Sequence, residues 1–85
     1  SMDWTSGNIF ELGGVNYIIM TDLNRDGKHY LFVNKMLDEE KIGENYYIAL
    51  EQNEEVMLIS DDKLIEELLP IFQEKVLKVA KEITE

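Results

Sequence analysis

The hydrophobic pattern of this chain changes period once, at Asp61, and that change leaves few folds open. Before it, apolar residues come in short runs with partial alternation. After it, Ile65, Leu69, Phe72, Val76, Val79 and Ile83 recur at 4-3-4-3-4 spacing, with Leu64, Leu68, Ile71 and Ala80 widening the stripe. A period of two belongs to strands and a period near 3.6 to an amphipathic helix. Strands followed by one terminal helix make an α+β protein.

The strand region is organised around residues 15–36. Val15, Tyr17, Ile18, Ile19 and Thr21, then Tyr30, Phe32 and Val33, are β-branched or aromatic and suit a pleated surface. Asp22–Gly27 lies between them and ends in an Asp-Gly step, a hairpin signal. Alternation is incomplete: Val15, Tyr17 and Ile19 share one face, but Ile18 and Met20 make the other apolar too. Both faces are therefore expected to be covered, one by the helix and the other by a curled sheet edge or a second subunit.

Around this hairpin the chain reads as one domain. Residues 1–8 are polar and form a loose lead-in, with Ser1-Met2 in the form of a tag remnant before a start methionine. Residues 9–60 form an antiparallel meander of about five strands: 9–12, 15–21, 29–36, 45–50 and 55–60. Gly13-Gly14 is a two-residue hairpin turn, residues 37–44 a loop, and residues 51–54 a turn. Residues 61–84 are helical, capped by Ser60 or Asp61, with early acids and late lysines matching the helix dipole. Pro70 is expected to kink or break this helix, because an interior proline lacks an N–H and clashes with the carbonyl four residues back. A straight helix over 61–84 would be about 36 Å long. Five strands span only about 24 Å, so part of the Phe72–Ile83 stripe needs a partner.

The formal net charge is −10. Most of it sits in residues 38–60, where seven acids face Lys41 alone. Direct binding to nucleic-acid phosphate or an anionic membrane is disfavoured. No run approaches the roughly 20 apolar residues of a membrane span, and no signal peptide opens the chain, so the expected location is cytoplasmic. The sequence has no cysteine, which removes disulfides and thiolate metal ligands.

Little in the sequence points to catalysis, and no cofactor is implied. Asp22, Asn24 and Asp26 before Gly27 match the first half of a calcium loop. Val33 stands where the bidentate Glu belongs, and strands replace the flanking helices, so a plain turn is the better reading. His29, the sole histidine, has neither a zinc ligand set nor an evident nucleophile to serve and reads as a strand-edge surface residue. Glu39-Glu40 and Glu54-Glu55 lie in loops without an apolar pocket to separate their pKa values.

Four stretches carry a family likeness: Ile-Phe-Glu-Leu (9–12), Tyr-Ile-Ile-Met (17–20), Gly-Lys-His-Tyr-Leu-Phe-Val (27–33) and Asp-Asp-Lys-Leu-Ile-Glu-Glu-Leu-Leu-Pro-Ile-Phe (61–72). With them the chain resembles small, acidic, uncharacterised proteins of Gram-positive bacteria and their mobile elements, a domain of unknown function similar in layout to the YrzB-like proteins. The resemblance implies an α+β fold and no activity, and it carries over no catalytic residue.

The functional expectation is a non-enzymatic, self-associating protein-interaction module. Its contacts would come from Phe72, Val76, Val79 and Ile83 on the helix and from Tyr17 and Phe32 on the outer face of the hairpin. The alternative is an acidic inhibitor or nucleic-acid mimic that occupies a basic site on a defence or DNA-handling protein, using Glu39, Glu40, Glu44, Glu54 and Glu55.

Overall fold

Three two-residue turns set the register of the sheet. Gly13-Gly14 (φ 59° and 78°), Asp26-Gly27 (53° and 73°) and Asn53-Glu54 (53° and 67°) each place two successive residues at positive φ. That is the type I′ geometry whose twist matches that of paired strands. The strands they join, in a computed structural model describing residues 2–84, are β1 (Ile9–Leu12), β2 (Val15–Arg25), β3 (Lys28–Met36), β4 (Ile42–Gln52) and β5 (Glu55–Leu58). All pair antiparallel in the order β1-β2-β3-β4-β5, a five-stranded meander. One helix, α1 (Asp62–Thr84), follows. The α+β architecture read from the sequence is the one observed.

The turns are tighter than the sequence suggested. Asp22 to Arg25 belong to β2 and pair with Leu31 to Lys28, leaving only Asp26-Gly27 as turn. Likewise Glu51 and Gln52 belong to β4. Pairing with a neighbouring strand overrides the weak strand preference of Asp, Asn and Glu.

A β-bulge in β2 explains the incomplete alternation. Ile19 pairs with Val33, but the next pair is Thr21 with Phe32, so Met20 is the extra residue. The bulge exchanges the faces of β2. Tyr17 and Ile19 join a core with Phe10, Leu31, Val33 and Ala49. Beyond the bulge, Leu23 packs instead with Tyr30, Phe32 and Ile48 beneath Leu68 and Phe72 of α1. Each face of the sheet thus carries its own core.

The sheet itself covers the face away from the helix. Leu12 of β1 and Val56 and Leu58 of β5 pack on the same cluster, so both edge strands contribute to one core. Residues 2–8, expected as a loose lead-in, help to close this curl. Gly7 N donates to Ile19 O at 2.8 Å, and Ile19 N donates to Asn8 O at 2.9 Å. Trp4 Nε1 and Met2 N both donate to Glu54 Oε2 at 3.3 Å, on the β4–β5 turn. Trp4 also begins an aromatic chain through Phe10, Tyr17 and Tyr47, with centroid separations of 5.7, 5.5 and 6.0 Å.

Asp61 caps α1, its Oδ1 accepting from Lys63 N and Leu64 N at 3.0 and 3.3 Å. The helix then runs unbroken through Pro70, so the break allowed for in the sequence is absent. Pro70 is on the solvent side, as is Glu66, whose carbonyl loses its helical donor. Water can satisfy that carbonyl, while fully buried Leu68 and Phe72 hold both sides of the proline to the sheet. No helix among the described residues is long and apolar enough to cross a membrane.

Candidate functional site

The residues expected to form an interaction surface divide sharply. Tyr17, Phe32 and Phe72 are core residues, 5%, 4% and 0% exposed, and cannot offer a surface. Phe32 is held between two rings, stacked on Tyr46 at 4.7 Å and on Phe72 at 5.1 Å. Tyr17 is buried because the curled sheet uses its far face internally. Val76 is half-buried against the helix-side core. Val79 and Ile83 are 52% and 79% exposed.

This division is geometric. Val79 follows Phe72 by seven residues and Ile83 follows Val76 by seven, close to two helical turns, so each pair shares a face of α1. Upstream, that face rests on the sheet; downstream, it continues past it. Residues 77–84 are all exposed.

Beside this overhang lies a groove of about 560 Å³ between α1 and β4. Phe32 and Tyr46 form its sheet side, and Leu69, Val76, Leu77 and Ala80 its helical side. It lies on the β4 side of α1, whereas the polar ties of α1 to the sheet among the described residues go to β2. Arg25 pairs with Glu67, and Lys75 Nζ donates to the carbonyl of Asp22.

The proposed acidic surface is divided. Glu39, Glu40 and Glu44 are exposed near the start of β4, whereas Glu54 and Glu55 lie at the β4–β5 turn. Eight residue steps of strand run from Glu44 to Gln52, about 26 Å at 3.3 Å per residue, before the turn that holds Glu54. Glu54 is also engaged by Trp4 and Met2.

His29 is not the free surface residue expected. Its side chain is 22% exposed and lies between two carboxylates, with Nε2 2.7 Å from Asp22 Oδ2 and Nδ1 3.1 Å from Glu51 Oε1. Burial pulls its pKa down, but hydrogen bonds and charge from Asp22 and Glu51 outweigh it and hold the value above the ordinary 6.5. The imidazolium form satisfies both acceptors, since each ring nitrogen then carries a proton. This trio ties β2, β3 and β4 together, and its hydrogen bonding is that of a structural clasp. The calcium-like residues are likewise dispersed: Asp22 faces His29, Asn24 is a strand residue paired with His29, and only Asp26 is in the turn. No group of three or more His, Cys, Asp or Glu among the described residues is placed to hold a metal ion.

The sequence reading missed the groove. Its helical wall was visible as the stripe residues Leu69 and Val76 and the stripe-widening Ala80, but the uncovered side of β4 depends on where α1 crosses the sheet. Comparison with protein-family models, curated proteins and solved structures finds no match.

Proposed function

We propose that this chain is a non-enzymatic protein-interaction module that self-associates through the overhanging second half of α1. The observation carrying this reading is the continuation of the buried Phe72–Val76 face into open solvent at Val79 and Ile83. Exposed apolar side chains arranged along one face of a helix, rather than scattered, are the mark of a contact surface. Local charge permits it: Lys75, Lys78 and Lys81 balance Glu74 and Glu82 along this half of the helix, which lacks the acidic excess of residues 38–55. A mimic of nucleic acid has less support, because its acids form two separated groups and Glu54 is used internally.

Light scattering on a size-exclusion column at tens of micromolar protein tests the reading. The expected result is a dimer that Val79→Glu converts to a monomer, since that change puts a carboxylate into the apolar contact. A wild-type chain that elutes as a monomer would overturn self-association.

A further inference from the structure

The chain leaves the sheet edge early. Ile59 N donates to Ile48 O at 2.8 Å, after which Ser60 and Asp61 lead into α1. β5 therefore covers only the end of β4, pairing with Ala49–Gln52. Residues 42–47 of β4 have β3 on one side and no strand on the other among the described residues.

Alternation along a strand determines which backbone groups are left over. The carbonyls of Gly43 and Asn45 turn towards β3, where Asn34 Nδ2 donates to both at 3.2 Å. The carbonyl of Ile48 turns the opposite way, towards Ile59. Tyr46 shares the orientation of Ile48, so its N–H and C=O groups point outward from the open edge. Glu44 lies inside the register shift between Asn34 and Met36, and with the carbonyls on either side of it held by Asn34, its own groups are left to the same outward side. This edge also borders the groove beside α1, which both residues line.

We propose that the open edge of β4 at Glu44 and Tyr46, with the apolar groove beside α1, binds an extended basic peptide segment of another protein by strand addition. The inference rests on reading the chain as an interaction module but not on its self-association. Outward N–H and C=O groups at alternate residues call for an extended backbone. The groove beside them takes every second side chain of such a segment, and its walls call for apolar ones. Glu44 at the groove and the net charge of −10 call for lysine or arginine among the rest. A second copy fits this edge less well, because it would bring its own Glu44 against the first.

A ¹⁵N-labelled sample titrated with the blocked peptide Lys-Val-Thr-Val-Lys-Val-Thr-Lys provides the test. The controls are the same peptide with Glu for Lys and two versions N-methylated at alternate residues in opposite phase. The expected result is shifted amides at Glu44, Tyr46, Leu77 and Ala80, with slowed exchange at Glu44 and Tyr46. Only one methylated phase should lose affinity strongly, on the order of tenfold or more, because only one set of N–H groups faces the added edge. The Glu peptide should bind at least about tenfold more weakly, the equivalent of about 1.4 kcal/mol. Glu44→Pro should weaken binding beyond Glu44→Gln, since it also removes an outward N–H while sparing those facing β3. Val79→Glu should leave peptide binding unchanged, which separates this site from the self-association surface. Absence of shifts in residues 42–47 at millimolar peptide would overturn the proposal, as would equal binding of both methylated phases. Protection of the Glu44 and Tyr46 amides in a peptide-free dimer would also overturn it, because a second copy would then hold the edge.

Discussion

His29 Nε2 stands 2.7 Å from Asp22 Oδ2, on the neighbouring strand, while Nδ1 of the same ring reaches Glu51 on the strand beyond. A protonated ring donates to both carboxylates; a neutral ring donates to one and leaves the other oxygen facing a lone pair. The clasp across β2, β3 and β4 is therefore strongest when His29 is charged.

The sign of the resulting pH dependence follows from the raised pKa of His29. The folded chain holds the proton more tightly than the unfolded chain, so His29 contributes its full stabilisation below the unfolded value near 6.5. The contribution is lost as pH rises through the folded value. His29 is the only histidine and the chain has no cysteine, so few other groups titrate in this window. The expected outcome is a melting temperature that falls from pH 6 to pH 8 in wild type and falls less in His29→Gln. NMR titration of the His29 ring should show a midpoint above 6.5; a lower midpoint would contradict the clasp.

Pro70→Ala should stabilise the protein. The residue is exposed inside a continuous helix, and proline there costs up to about 3 kcal/mol relative to alanine. Part of that cost is already relieved by solvent access to the Glu66 carbonyl, so the expected gain is about 1–2 kcal/mol. At about 4–8 °C per kcal/mol for a domain of this size, thermal melting resolves it readily. A lower melting temperature would mean that Leu68 and Phe72 are seated by a shape that only proline imposes.

How far the fold was legible depended on whether its cause was local. Gly13-Gly14 and Asp26-Gly27 announce their turns because these residue types tolerate positive φ. The turn at Asn53-Glu54 was legible only as a stretch over residues 51–54, since glutamate is a poor residue at φ 67° and is kept there by context. The period and length of α1 revealed its apolar face and an overhang within Phe72–Ile83, but not that the overhang begins between Phe72 and Val79. His29 looked idle because Glu51 reaches it only through the β3–β4 register, which pairs the two residues directly. The open edge of β4 was invisible for a similar reason: it exists because the chain departs after Ile59, four residues short of the position that would cover Glu44.

Glu54 offers a direct test of that contextual strain. Glu54→Gly removes the left-handed penalty of about 1–2 kcal/mol and creates the favoured Asn-Gly turn. It also removes the carboxylate that accepts from Trp4 Nε1 and Met2 N. Both bonds are exposed, so each is worth no more than about 0.5–1.5 kcal/mol. The expected result is little net change in melting temperature together with a red-shifted Trp4 emission as residues 2–5 loosen. Unchanged emission would show that packing against Phe10 alone fixes Trp4.

Asn34 is the final test, because it links the core to the open strand edge. It is 2% exposed, and its Nδ2 is the donor to both Gly43 O and Asn45 O. It sits where the β3–β4 register shifts, between Asn34 and Met36, so its amide substitutes for ladder bonds that the bulge interrupts. Asn34→Leu removes that donor and leaves two carbonyls short of a partner, at a cost of about 1–3 kcal/mol. Asn34→Asp should be worse at neutral pH, since a carboxylate would face the same two carbonyl oxygens and repel them. The damage should be local: amide exchange should accelerate across residues 42–47, while Leu31 and Val33, fully buried in the opposite core, retain their protection relative to the global stability. Uniform acceleration throughout the sheet would instead mean that Asn34 supports the whole fold, not the edge.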